Sequence, residues 1–464
     1  MLIGHSAAYA AGKLIPGLLG MAATALLTRL LDPAEYGRYG LALVVTGLGS
    51  TLMFDWLGLA YLRLSAGTRA VESTVTAMFG LMATLVALTA GGVWLLGGFS
   101  GEAGPAIAAG LLLTCCASAF ELAARHPVAE ARPGRFLVMN CGRGVLTLAG
   151  AAGAAWLTRD AALTICGTAF GSIGGVLLAG QTPAWPKLER ASAHRLLRFG
   201  LPLAGGLGLA SVANSGVRGL LDVLGSASAL GVYTAAYLIV QNTLSVAAAG
   251  IASAGYPAAV RALERGDREG ARRQMGANWS LLLAVLSPMA LGMALTAPTL
   301  AATLAGPRFA PDIAALTPWL AAAGWFAALR AHGLDHVFHL ANRPGRLAAV
   351  TGASALLALV VAFALIPSLG TLGAAIASLV AAGGSCALAL AWGRDSFLVA
   401  LPVDTVVRVA CACAAMSAAV ATAPDAFVPE VAAGVAGYAA GCIVFDVLGV
   451  RRAAWAAALR PNAT

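Results

Sequence analysis

Long apolar blocks fill this chain, and short polar breaks separate them. They fall at 6–28, 38–62, 74–97, 105–124, 136–157, 161–180, 199–221, 229–256, 276–300, 313–333, 346–367, 371–392, 404–423 and 428–449. Each comes close to the roughly 20 residues a helix needs to cross a hydrocarbon core. None alternates apolar and polar positions as a barrel strand does, and backbone in lipid must satisfy its hydrogen bonds internally. The pattern predicts an all-α polytopic membrane protein with about fourteen transmembrane helices. The block at 313–333 is the least regular, being interrupted by Pro318 and Arg330.

Composition strengthens this reading. The 464 residues are 59% hydrophobic and only 11% charged, against about 25% charged in soluble domains. So few charges cannot cover a water-facing surface. The eight cysteines all lie in apolar blocks and form no Cys-x-x-Cys pair. They read as small packing residues, with no metal site. The N-terminal block lacks a basic leader and runs into the repeating pattern, so it reads as a span and not as a signal peptide.

The net charge of +9 does not point to nucleic acid once its distribution is considered. With the N-terminus in the cytoplasm, 20 of the 29 Lys and Arg residues fall in cytoplasmic breaks, 4 on the opposite side and 5 within spans. That bias is the positive-inside signature and predicts both termini inside. The two longest polar segments, 181–198 and 258–275, are both cytoplasmic. The first reads as a linker between halves, the second as a solvated amphipathic connector. The outward loops are short and leave no room for a folded external domain.

Leu31–Ala42 and Gly225–Ala236 form a weak internal repeat. Each follows the first span of its half, and Gly37-x-Tyr39 recurs as Gly231-x-Tyr233, 194 residues on. The tyrosines suit a membrane interface, and the glycines suit a sharp turn between helices. Six spans separate the copies, so the halves have the same orientation, a recurring transporter plan.

Thr28-Arg29-Leu30-Leu31-Asp32-Pro33-Ala34-Glu35-Tyr36-Gly37-Arg38-Tyr39 in the first loop carries a family resemblance. So do Asp55-Trp56-Leu57-Gly58-Leu59 with Arg63, Leu230-Gly231-Val232-Tyr233-Thr234-Ala235-Ala236-Tyr237, and Tyr256-Pro257. Loosely, to about residue 392, the chain resembles the polysaccharide, or O-antigen, flippases of the multidrug/oligosaccharidyl-lipid/polysaccharide exporter superfamily. The resemblance implies two parallel six-helix bundles, 1–180 and 199–392, around a central cavity lined largely by spans one, two, seven and eight. Residues 181–198 would link them, and 393–464 would add two further helices. It also implies a non-enzymatic flippase in the bacterial inner membrane. The cargo would be a polyprenyl-diphosphate-linked glycan, moved by alternating access. The implied partners are that lipid-linked glycan, membrane lipids and other polysaccharide-assembly proteins, with no nucleic acid. The run His332, His336, His339 has no counterpart in the family.

Charges within spans are costly and commonly face a cavity or a partner. Lys13 and Arg143 lie deep in spans one and five, and a diphosphate calls for fixed cations, with Arg offering a planar fork. The candidate substrate-binding cations are Lys13, Arg29, Arg63, Arg143 and Arg218. Asp55 and Asp222 are candidates for coupling or gating, with H+ or Na+ as the driving ion and no other cofactor. Arg218 and Asp222, four residues apart on one helix face, equally suit an internal ion pair. Arg330, Arg408, Glu121 and Asp446 read as snorkelling groups. The histidine run has spacing that can hold a metal and also suits a helix end. Gly167, Gly171 and Gly175, and the pair Gly437 and Gly441, read as close helix contacts. The alternatives are a cation-coupled small-molecule or drug exporter of the same fold, a membrane polysaccharide polymerase or ligase, and a non-transporting scaffold.

Overall fold

A computed structural model of the protein describes the backbone of residues 2–64, 69–130, 132–178, 180, 184–394 and 402–451. Among the described residues the secondary structure is helical, with no strands. Thirteen long helices follow in order. They are α1 (Leu2–Leu30), α2 (Pro33–Leu64), α3 (Arg69–Leu95), α4 (Gly104–Ala129), α5 (Pro133–Thr158), α6 (Ala161–Leu178), α7 (Arg190–Leu224), α8 (Ala227–Glu264), α9 (Arg268–Leu295), α10 (Ala310–Leu340), α11 (Pro344–Gly393), α12 (Val403–Ala421) and α13 (Phe427–Val444).

Local chemistry sets several starts. Proline opens α2, α5 and α11, where its missing N–H removes no helical bond. Asp32 and Asp267 cap α2 and α9 by accepting from the Glu35 and Gly270 N–H groups, at 2.8 and 2.7 Å. Ser226 does the same for α8, accepting from Ala229 N–H at 3.1 Å.

Twelve of these helices are long and apolar enough to cross a membrane, and α1 carries a shorter apolar stretch, Leu14–Leu30. Helix α11 has 50 residues, which at about 1.5 Å each would span roughly 75 Å, more than twice a hydrocarbon core. It is two spans. Gly370 breaks it with φ 55 and ψ −127, and a Cβ on Gly373 would lie 2.5 Å from the Leu365 carbonyl oxygen. Ser354 Oγ donates to Ala381 O at 3.4 Å across the same hairpin. All fourteen predicted spans therefore fall on helices. The chain is a multi-pass membrane protein.

Packing divides the chain into two compact units, Met1–Ala235 with Ala358–Ala374, and Ala236–Leu357 with Ala375–Thr464. In the first unit α5 and α6 meet backbone to backbone. A Cβ on Gly167 would lie 2.2 Å from Gly150 O, and one on Gly171 would lie 2.3 Å from Thr147 N. Nearer the helix ends, Trp56, Leu57, Ala60 and Tyr61 of α2 pack with Val71, Val75 and Met78 of α3 and Leu196 of α7. In the second unit α12 and α13 pack on each other through Gly437 and Gly441, which abut Ala419 and Ala412. Both helices also pack on α9, with Ala284, Val409, Ala412, Cys413 and Val447 as the buried core. The small-residue contacts expected at both glycine sets are present.

One local expectation changes. Gly37 and Gly231 lie inside helices and not at turns, because the Asp32 and Ser226 caps start each helix four residues earlier. Tyr39 and Tyr233 are buried in the protein. The segment 258–275 is the amphipathic connector expected, with Arg261, Arg265, Arg268, Arg272 and Arg273 exposed. Helix α8 runs on to Glu264 and α9 starts at Arg268, with Gly266 turning the chain at φ 77. Ala259, Ala262, Ala271 and Met275 form a buried cluster with Val337 there.

Candidate functional site

The first unit carries a seam of polar side chains along α2. On α7, Ser211, Ser215 and Arg218 share one face, at i, i+4 and i+7. Ser211 Oγ donates to Gly47 O at 3.4 Å, and Arg218 Nη2 donates to Ser215 Oγ at 3.3 Å. Arg218 is only 8% exposed, so its charge is held inside the protein. Gly47 faces this hydroxyl pair, and a Cβ there would lie in ordinary contact, 3.6 Å from Ser215 Oγ.

Further along α2, Ser118 Oγ of α4 donates to Ser50 Oγ at 3.1 Å. The next five residues, Thr51–Asp55, form a π turn. Such turns interrupt the regular ladder and recur at functional sites. Asp55 closes this one beside the Thr51 hydroxyl and the Arg125 guanidinium. Arg125 lies flat over Gly58, where a Cβ would stand 2.4 Å from its Nε. A small cavity lined by Asp55, Gly58, Ser118, Glu121 and Arg125 sits at this point. One turn on, Tyr61 Oη is 2.8 Å from His126 Nδ1 and 3.4 Å from Glu72 Oε1.

The candidate residues are scattered relative to this seam. Arg218 and Asp55 belong to it. Arg143 Nη1 donates to Glu121 Oε1 at 2.8 Å, and its guanidinium lies 4.3 Å from the Phe120 ring centre. Glu121, read as snorkelling, is thus the partner of a charge from the next helix. Arg63 is exposed, with its guanidinium 5.1 Å from the Phe199 ring centre. Arg29 is exposed at the end of α1 and donates to Ala25 O one turn back at 2.5 Å. Asp222 is half-buried in the last turn of α7. The Lys13 side chain lies outside the described residues. The reading by residue type overlooked Arg125, counted there only as a loop charge, and the serines at 50, 118 and 215. Gly58, three residues after Asp55, was the signal available for Arg125.

The second unit has a π turn of its own, Arg330–Leu334 in α10. It leaves the His332 carbonyl to accept from Asn278 Nδ2 at 3.1 Å. Arg330 Nε lies 3.8 Å from Asp335 Oδ2, so Arg330 has a partner within the protein. The His336 ring packs on Tyr256 with centres 4.3 Å apart, and 6.3 Å separates it from His332. Among the described residues, no three His, Cys, Asp or Glu side chains are grouped to hold a metal. Arg408 bridges Asp404 at 2.8 Å and the buried Asp446 at 3.7 Å, and donates to the Phe445 and Asp446 carbonyls, each at 3.1 Å. It is a clamp between α12 and the end of α13 and not a snorkelling charge.

No family model and no curated protein matches the sequence. The fold is similar to solved transporters. Lipid II flippase MurJ in an inward closed conformation superposes with a TM-score of 0.77 over 94% of this chain and 98% of that one, at 12% identity. A superfamily transporter from Pyrococcus furiosus, whose binding pocket is described as reversed in polarity, gives 0.59 over 84% and 94%, at 14% identity. An inward-facing multidrug resistance MATE transporter of the MOP superfamily gives 0.53 over 84% and 94%, at 16% identity. At these identities the likeness is one of fold.

Proposed function

We propose that this protein is a flippase that moves a polyprenyl-diphosphate-linked oligosaccharide across the bacterial inner membrane by alternating access. The observation that carries the reading is the extent of the likeness to a lipid-linked flippase, 94% of the chain at a TM-score of 0.77, against 84% and 0.53 for the multidrug transporter. The buried Arg218 supports an anionic cargo. Fixed cations replace the hydration that a diphosphate loses on leaving water, while the polyprenyl tail stays in lipid.

Arg218 and Lys13 are the proposed diphosphate contacts, and Asp55 and Asp222 the proposed coupling groups for H+ or Na+. A carboxylate beside Arg125 changes the balance of charge along the seam when it gains or loses a proton or ion, and that bias selects between conformations. The short outward loops favour transport over a polymerase or ligase. The test is genetic. Deleting the gene should cause a lipid-linked glycan to accumulate facing the cytoplasm and surface glycan to fall. Unchanged glycan display with a new sensitivity to cationic drugs would favour the exporter reading instead.

A further inference from the structure

Helix α10 changes character at Arg330–Leu334, where a π turn replaces the α-helical ladder. The Asp335 N–H closes that turn by donating to the Arg330 carbonyl, five residues back. The side chains of the same two residues form an ion pair, with Arg330 Nε 3.8 Å from Asp335 Oδ2. The pair depends on the turn. In a regular α-helix, residues five apart lie about 140° round the axis and cannot meet. The i, i+5 bonding of a π turn sets them on one face. The turn in turn depends on its side chains, because a π turn is rare and something must hold it. Two contacts do so: the Arg330–Asp335 pair, and Asn278 of α9, whose Nδ2 donates to the His332 carbonyl at 3.1 Å. In an α register that carbonyl accepts from the His336 N–H instead.

The polar groups around the turn are incompletely matched. Arg330 Nη1 and Asp335 Oδ1 are buried and make no hydrogen bond to any described residue, although the same two groups face each other through their other atoms. Asn278 Oδ1 and Trp279 Nε1 are in the same condition, on residues only 1% and 3% exposed. Trp279 stands against the turn itself, since a Cβ on Gly333 would lie 2.8 Å from its ring. Buried polar atoms without partners are costly. Several around one turn mark an arrangement that a small change in charge can tip.

We infer that Arg330 and Asp335 form a latch: their pairing holds α10 in the π register, and neutralising either charge lets the turn close into α-helix. The last stretch of α10, Asp335–Leu340, then rotates by about 100° and advances by about 1.5 Å, the share of one residue. That motion takes the His336 ring off Tyr256 of α8, against which it packs with centres 4.3 Å apart. It also returns the His332 carbonyl to the ladder and releases Asn278. A change of charge at one point becomes a helix rotation, the kind of two-state element that a bound ligand can bias. The latch lies within the second unit and rests on the fold alone, so its failure leaves the transport reading untouched.

Spin labels read the rotation in the full-length, otherwise cysteine-free protein held in nanodiscs. One label sits at His339→Cys in the last turn of α10, and its partner sits at Arg273→Cys of α9 or, in a second sample, at Arg261→Cys of α8. All three positions are exposed. A side chain about 5–6 Å from its helix axis moves by about 8 Å when the helix turns by about 100°, and such a move cannot leave both distances unchanged. With both charges present, each label pair should give one main distance in pulsed electron paramagnetic resonance. Asp335→Asn and Arg330→Gln should each add a second distance, shifted by up to about 8 Å in at least one pair. Deleting Ala331, which is exposed, removes the extra residue of the turn and leaves Asp335 onward facing as it does now. Combined with either charge variant, the deletion should abolish the second distance. If one charge variant does not fold, the other and its deletion derivative decide. Unshifted distances in the charge variants, or a second distance that survives the deletion, would each overturn the latch.

Discussion

Gly37 of α2 and Gly231 of α8 sit on each other's first helical turns, at a distance that leaves no room for a side chain. A Cβ on Gly37 would lie 1.7 Å from the Ala227 carbonyl oxygen, and one on Gly231 would lie 2.1 Å from that of Pro33 and 2.8 Å from Gly37 N. Ala227 precedes Gly231 by four residues, as Pro33 precedes Gly37, so the contact is reciprocal. The helix caps Asp32 and Ser226 carry the same 194-residue offset as the two glycines and the two tyrosines. A repeat that is faint in sequence is thus a packing motif used twice.

Alanine at either glycine should therefore be severe. Backbone cannot yield as a flexible side chain can, so each change should cost at least the about 1–3 kcal/mol typical of overpacking. Gly80→Ala in α3 is the comparison, since nothing lies within 4 Å of a Cβ there. It should leave stability unchanged or raise it by up to about 1 kcal/mol. Thermal unfolding of the purified proteins checks both, and equal melting temperatures across the three variants would refute the close-contact account.

Arg408→Ala should loosen the last two helices. It removes one partner of Asp446, which is 2% exposed and also accepts from the Arg451 N–H at 3.0 Å, and breaking a buried ion pair costs up to about 3–5 kcal/mol. Arg408→Lys should recover little, because one ammonium cannot reach two carboxylates and two carbonyls as a guanidinium fork does. Thermal unfolding of the purified proteins reads this out, with a lower melting temperature expected in both variants and an unchanged one contradicting the clamp.

The topology read from the charge bias can be tested by labelling. Ser100 and Ser228 are exposed, and so is Arg265 on the opposite side of the predicted membrane. In a cysteine-free background, an impermeant thiol reagent added outside should mark Ser100→Cys and Ser228→Cys and spare Arg265→Cys. The reverse pattern would invert the orientation.

The fold was legible because lipid imposes length and polarity on every span. The seam was less so. Arg218 read as the pair of Asp222, and Ser215, the hydroxyl that Arg218 Nη2 reaches at 3.3 Å, was passed over because a serine in an apolar span carries no mark of its partner. Arg143 looked like a cation awaiting cargo because its partner, Glu121, is 22 residues away on another helix. Gly37 read as a turn because a glycine's need for space and its freedom to turn leave the same mark in sequence. The π turns at Thr51–Asp55 and Arg330–Leu334 have no signature in hydrophobic periodicity, yet each sits beside a charged pair.

Asp55→Asn keeps the shape of the side chain and removes its charge beside Arg125. Under the coupling proposal it should reduce the dependence of transport on the ion gradient by about tenfold or more while leaving folding intact, since the amide still fills the same space. Transport that follows the gradient as in the unchanged protein would remove Asp55 from the coupling role and leave Asp222 as the candidate.

Direct observation of cargo movement tests the central claim. Purified protein is reconstituted into liposomes carrying a fluorescent polyprenyl-diphosphate oligosaccharide, and the fraction reaching the far leaflet is followed by quenching from outside. The account predicts protein-dependent translocation, lost on Arg218→Ala with unfolding behaviour preserved, and no comparable movement of a lipophilic cation. Failure to move the diphosphate-linked lipid, with transport of the cation instead, would contradict it.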